Sequence, residues 1–255
     1  MPAQHSEQDE SYFISMTDLM VGMLFIFIIL LMAFALNLKE QETKLKAQET
    51  KLTHTDTARA QMLRDIETSL KKKGIPVVVL PESGVLRLPE QVLFDIGRAD
   101  LQPQGALAVS KLGEALQEVL PCYAGPITPA ACSTRAFGRL ESVFIEGHTD
   151  NQPIAGIADG NWQLSYARAR AVYRELTQRD SLIEVLRNDK DGQKGTGEKL
   201  LGISGYADQR PAESNDSPAG QQANRRIDLR FIMAIPDLER QSQLDQIIVP
   251  AVNGQ

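Results

Sequence analysis

The sequence predicts an α/β domain, with helices packed on one face of a small sheet, behind a single membrane-spanning helix and a long helical connection. Three features carry this reading. Leu19 to Leu36 is a run of eighteen residues with no charged side chain. From Lys39 to Lys73 there is neither Gly nor Pro, and Lys, Glu, Gln, Leu and Ala dominate. From Ile75 onward, strand-like runs alternate with amphipathic stretches, as in a sheet covered by helices.

The apolar run comes first. Eighteen residues at ~1.5 Å each span about 27 Å, close to the ~30 Å hydrocarbon core of a bilayer. Extending the run to residues 15–38 gives a helix long enough to cross, with residues 1–14 as a short tail. Met1 to Glu10 holds no Lys or Arg, and no small-residue cleavage site follows, so the segment reads as a retained anchor and not a signal peptide. Orientation is contested. Lys39, Lys44 and Lys46 follow the helix while Glu7, Asp9 and Glu10 precede it, a bias that by itself places the C-terminal part in the cytoplasm. Long domains are exported despite such a bias, so the domain decides.

Asp18 stands at the margin of the run, on one helical face with Gly22, Phe25 and Ile29, where a partner helix could approach closely. Two readings stay open. It complements a helix N-terminus beside a capping Thr17, or it is a functional intramembrane carboxylate.

In the connection, residues 39–73, the word QETKL occurs at Gln41–Leu45 and again at Gln48–Leu52. Leu38, Leu45 and Leu52 therefore recur every seventh residue, with Met62 and Ile66 further on and Arg59 interrupting. This fits either a parallel helix pair or a solvated spacer, ~50 Å long if helical throughout. Gly74 and Pro76 end it. Beyond, strands are expected at Val77–Leu80, Val85–Leu88, Val143–Glu146 and Ile227–Ile232. One helix is marked by Leu107, Leu112, Leu116 and Val119, another by Leu164, Ala167, Ala171 and Leu176.

A net charge of -6 argues against a nucleic-acid partner, which needs a basic surface. The three histidines, His5, His54 and His148, lack zinc-ligand spacing, and His148 is expected at the surface. Gly192 and Gly197 have P-loop spacing, but Glu198 stands where Lys is required. Asp189 and Asp191 lack the rest of an EF-hand loop. No nucleophile-plus-base pattern occurs, so neither an enzyme nor a metal or cofactor is expected.

Four stretches then become recognisable in order: FDIGRADLQPQGALAVSKLGEAL (Phe94–Leu116), IEGHTDNQP (Ile145–Pro153), NWQLSYARARAVYREL (Asn161–Leu176) and GYADQRP with NRRIDLRF (Gly205–Phe231). Together they closely resemble the OmpA-like peptidoglycan-binding domain, here over residues 75–235, followed by a tail at 236–255. The resemblance implies a ligand, the diaminopimelate of the stem peptide, which carries both an ammonium and a carboxylate. It assigns Asp150 to the ammonium and Arg168 to the carboxylate, which a guanidinium fork can hold in two parallel bonds. Asn161, Leu164 and Arg168 share a helical face, and Asn224 and Arg225 match a further block expected to line the same pocket. The plain structural reading of Asp150 and Arg168 is a loop-to-helix salt bridge. Two insertions, Cys122 to Ala136 and Asp180 to Gly202, depart from the family pattern. The first holds both cysteines, Cys122 and Cys132, at a spacing compatible with a small oxidised loop, or with two reduced thiols in a cytoplasmic setting.

Ahead of that domain, SMTDLMVGMLFIFIILLMAF (Ser15–Phe34) resembles the MotB family of stator subunits. The resemblance implies a homodimer within a ring of MotA-type multi-span subunits, with Asp18 taking up and releasing the conducted ion. The protein would lie in the bacterial inner membrane, N-terminus cytoplasmic and C-terminal domain periplasmic, bound to peptidoglycan. The acidic leading segment, the long heptad-like stretch and the expanded loops look more like ZorB, the MotB-like subunit of the Zorya anti-phage system, whose ring partner is ZorA-like. A flagellar-type stator and a passive wall tether without ion conduction are the alternatives.

Overall fold

The computed structural model describes residues 5–125, 132, 138–178, 181–188 and 197–234. The expected tail at 236–255, most of the segment between the cysteines, and Asp189 with its neighbours to 196 lie outside the described residues. The chain divides into two compact units, residues 1–51 and 52–255.

The first unit is helical wherever it is described. Helix α1 (His5–Lys72) starts there, and every described side chain from Asp18 to Thr50 is exposed. Part of it is long and apolar enough to cross a membrane. Asp18 lies thirteen residues inside α1, about three and a half turns from its first residue. The orphan N–H groups of a helix end within its first turn, so Asp18 does not cap this one.

The second unit opens on the last turns of α1, and here one expectation is corrected. Residues 39–73 were to be a single connection, with the domain starting at 75. Instead Ala58, Met62, Leu63, Ile66 and Leu70 are buried in the domain's own core, while Leu38, Leu45 and Leu52 are exposed. The spacing explains the split. Apolar residues recur every seventh position up to Leu52, but at i, i+4, i+5, i+8 and i+12 from Ala58, a stripe broad enough to bury against a sheet-and-helix core.

The remaining elements are β1 (Val78–Leu80), β2 (Val85–Pro89), α2 (Glu90–Leu93), α3 (Pro103–Val119), β3 (Leu140–His148), α4 (Gly160–Leu176), α5 (Leu182–Val185), β4 (Leu201–Gly205), α6 (Pro218–Asn224) and β5 (Arg226–Met233). The sheet order is β1-β2-β5-β3-β4, antiparallel except for the β3–β4 pair. Strand alternation sorts the side chains. Leu86, Leu88, Val143, Ile145, Ile227, Leu229 and Phe231 join α3 and α4 residues such as Leu112, Leu116 and Val172 in one core. The alternate positions, including Arg87, Glu146, His148, Asp228 and Arg230, carry polar groups. Strand β4, LGISG, went unforeseen because Gly202, Ser204 and Gly205 dilute its apolar character.

Two glycines set how closely α4 lies on the sheet. A Cβ on Gly147 would fall 1.9 Å from the Ser165 carbonyl oxygen, and one on Gly205 would fall 2.8 Å from the Ser165 hydroxyl and the Tyr166 nitrogen. The Ser165 hydroxyl in turn accepts from Ala207 N at 3.1 Å. The N-terminal half of α4 is thereby pressed onto the ends of β3 and β4. Gly147→Ala is expected to push α4 off the sheet and cost about 2–3 kcal/mol or more, measured by denaturant unfolding; an unchanged stability would mean the close approach is not needed.

Candidate functional site

At the end of β3 the chain enters GHTD, and the tight seat of α4 brings its first turns against that exit. Asp150, 7% exposed, accepts from Gln152 N at 3.1 Å through one oxygen and pairs with Arg225 Nη1 at 2.5 Å through the other. The Asn161 amide donates to the carbonyls of Asp150 and Gln152, at 3.3 and 3.0 Å, and so clamps the loop onto α4. Two turns on, Arg168 is 2% exposed. Its Nε donates to the Arg98 carbonyl at 2.8 Å, its Nη2 reaches the Asp95 carbonyl at 3.4 Å, and its guanidinium lies 5.3 Å over the Phe94 ring.

Between these groups stands a residue that sequence reasoning missed. Glu90, at the start of α2 and 2% exposed, pairs with Arg168 Nη2 through one oxygen and with Arg225 Nε at 2.7 Å through the other. Its backbone N–H donates to the Arg225 carbonyl at 3.1 Å, tying α2 to the start of β5. The result is a chain of four charges, Asp150–Arg225–Glu90–Arg168. Burial holds the Arg168 pKa below its ordinary value, against the pull of Glu90. Burial also opposes the charge on Arg225, but Asp150 and Glu90 outweigh it and its pKa is raised. The only sequence signal for Glu90 was an acid four residues before the FDIG motif.

The structure therefore brings Asp150, Asn161, Arg168 and Arg225 together, with Leu164 half-buried on α4 between Asn161 and Arg168. A direct Asp150–Arg168 bridge is not what links loop and helix; Arg225 and Glu90 stand between. Asn224 is corrected. It is fully buried, and its carboxamide accepts from Ala212 N and Glu213 N at 2.7 and 3.0 Å and donates to Glu213 O and Asn215 Oδ1 at 2.8 and 2.9 Å. All four of its hydrogen-bonding positions are filled, so it holds the 212–215 loop and has nothing left for a ligand. Cys122 and Cys132 are disulfide-bonded, with Cα atoms 5.5 Å apart.

A second polar cluster lies on the sheet face away from the apolar core. Arg87 and Arg226 both pair with Asp228, Arg87 at 2.9 and 3.0 Å and Arg226 at 3.0 Å. Arg230 forks onto Glu146 with two bonds of 2.8 Å. His148, expected at the surface, is 1% exposed among them. Its Nε2 is 3.8 Å from Asp228 and 4.0 Å from Glu146, its ring stacks on Tyr206, and neither nitrogen has a hydrogen-bond partner among the described residues. The reason for the error is register: Glu146 and His148 alternate with Ile145 and so face the layer of arginine stems, which excludes water.

Burial, reinforced by Arg226, Arg87 and Arg210 and opposed by Asp228, lowers the His148 pKa to about 3 from 6.5. Between those values the unfolded chain binds the proton and the folded chain does not, so this stabilisation is complete above the unfolded pKa and is lost as pH falls. Between pH of about 7 and about 5, the loss from this residue is expected to be ~2 kcal/mol. Denaturant unfolding at the two pH values checks it, and His148→Gln is expected to flatten the difference.

Residues 133–225 match the OmpA family. Among curated proteins, the uncharacterized protein YtxE of Bacillus subtilis is 25% identical over 174 residues, 66% of this chain and 58% of that protein. Motility protein B of the same organism is 22% identical over 178 residues, 69% of this chain and 56% of its own length. The matches thus span less than two thirds of these relatives. Among solved structures, a MotB-like protein from Desulfovibrio vulgaris is 20% identical, with 71% of this chain and 97% of that one covered and a TM-score of 0.49. The cell wall anchor of the T6SS from Pseudomonas aeruginosa is 22% identical, with 69% and 99% covered and a TM-score of 0.44. The family match thus falls on the segment that holds β3 and α4 and ends at Arg225, and the curated and solved matches are similar to this chain over about two thirds of its length.

Proposed function

We propose that this chain is the wall-anchored, ion-conducting subunit of an inner-membrane rotary motor. The observation that carries the reading is one juxtaposition in one chain. An acid sits well inside a helix at the threshold of a charge-free apolar run, and the same chain carries an OmpA-family domain with opposed acid and guanidinium groups at the end of β3. A capping role for Asp18 has less support, because α1 begins at His5, thirteen residues earlier; a passive wall tether without ion conduction stays the alternative.

The wall contact follows from charge. A stem-peptide side chain with both ammonium and carboxylate meets Asp150 and the Arg225–Arg168 pair, the ammonium to the acid and the carboxylate to the guanidinium groups. Asn161 holds the Asp150 loop in place for this. The disulfide supports an extracytoplasmic location for the domain, since such bonds persist in oxidising compartments, and it outweighs the lysine bias after the apolar run. Asp150→Ala is expected to weaken pelleting with purified sacculi by about 30-fold or more; undiminished pelleting would remove the anchor.

The motor role follows from Asp18. An acid enclosed by protein and lipid changes its balance of charge and solvation each time it takes up or releases a cation. In a homodimer surrounded by a ring of multi-span subunits, neutralisation loosens the hold of Asp18 on the ring, which steps. The membrane potential supplies ~2.3 kcal/mol per charge per 100 mV to bias the step. The expanded loops favour the ZorB-like subunit of a Zorya-type defence system over a flagellar stator, while the likeness to Motility protein B favours the flagellar reading. Asp18→Asn is expected to leave membrane insertion intact and abolish ion flux and biological activity. Full activity in that variant would eliminate the relay, and failure to co-purify a multi-span partner would favour a passive tether.

A further inference from the structure

Glu90 is the one member of the four-charge chain whose position owes nothing to a recognised motif. Its place is set by the sheet. Pro89 pairs with Arg226 in the β2–β5 register, and the Glu90 N–H is fixed to the Arg225 carbonyl. Its side chain is 3% exposed and each oxygen serves a different guanidinium. Such a carboxylate spans two cations that would otherwise repel each other across a space largely closed to water.

Charge counting then gives it a function. Arg168 and Arg225 contribute two positive charges, Glu90 and Asp150 two negative, and the cluster sums to zero. A neutral cluster receives a side chain bearing both ammonium and carboxylate without leaving an uncompensated buried charge. A side chain with only one of the two leaves one behind, which is heavily penalised where water is excluded. Remove the Glu90 charge and the cluster becomes cationic, matched to a lone carboxylate instead. We propose that Glu90 is a specificity-determining residue that makes the site select a zwitterionic side chain over an anionic one. It acts by cancelling one of the two guanidinium charges, not by touching the ligand. This rests on the reading of the site as a stem-peptide receptor.

The test uses the full chain in detergent and three synthetic tripeptides, L-Ala–γ-D-Glu–X. X is diaminopimelate, 2-aminopimelate (the same side chain without its distal ammonium) or lysine. Wild type is expected to bind the diaminopimelate peptide at least ~10-fold more tightly than either of the others. Glu90→Gln is expected to shift the diaminopimelate-to-aminopimelate ratio by ~10-fold or more toward aminopimelate, and to weaken the lysine peptide further. Glu90→Asp keeps the charge and is expected to keep the wild-type ratio even where its absolute affinities fall. A Gln variant that loses affinity for all three peptides in proportion overturns the proposal, as does an Asp variant that loses the ratio as Gln does. Wild type that binds none of the peptides fails one step earlier and overturns the receptor reading itself.

Discussion

Helix α4 rests so closely on the sheet that no side chain fits beneath it at Gly147 or Gly205, and the candidate site is a consequence of that contact. The helix start is carried to the point where β3 runs out, so Asn161 can clamp the Asp150 loop and Arg168 can reach back to the Asp95–Arg98 turn. A helix displaced outward would break those bonds together, because they radiate from one rigid element to two separate segments. Packing at two positions without side chains thus governs the geometry of charges several residues away.

The domain buries two sets of charges and treats them differently. On the polar sheet face, each carboxylate is met by arginine forks at ordinary distances, and Asp228 is held below its usual pKa by Arg87 and Arg226 despite burial. That set has the character of a closed structural network, whose one uncompensated member is His148. The set at the head of α4 is arranged as a line, with Arg225, its side chain 22% exposed, sitting between two acids. A paired but partly open guanidinium can exchange one carboxylate for another at small desolvation cost, whereas Arg168 behind it is sealed. Arg225 is thus the most open member of the line, Asp150 comes next, and Glu90 and Arg168 are sealed behind them.

How much of this the sequence disclosed depends on where its information is local. Asp150, Asn161, Arg168 and Arg225 were legible because each sits in a short motif with its own residue pattern, and β2, β3 and β5 because they alternate or run apolar. What stayed hidden arises from long-range pairing. Glu90 matters only because residues 78 and 135 positions further along fold onto it. Asn224 reads as a site residue from its motif, yet its carboxamide is spent on a loop whose path the sequence does not specify. His148 looked exposed because a lone polar residue beside GHTD carries no mark of the arginine layer that covers it. The last turns of α1 were misassigned for a similar reason: Met62 and Ile66 fit an extended heptad by eye, and only Ala58, Leu63 and Leu70 reveal the broader stripe.

The same distinction bears on the membrane segment. Its length and apolar content are properties of composition alone, and they were readable at once. The role of Asp18 was not, since a carboxylate near the edge of an apolar run serves equally well as a cap or as a relay. Helix α1, which starts at His5, speaks only to the first of these. A cap must sit where backbone N–H groups lack acceptors, and by the position of Asp18 those groups are already paired within the helix. Asp18 therefore has no duty at a helix start to offset its cost at the threshold of an apolar run, and its side chain is exposed. Gly22 lies one turn further along the same face, where a glycine adds no side chain between the helix backbone and whatever packs there.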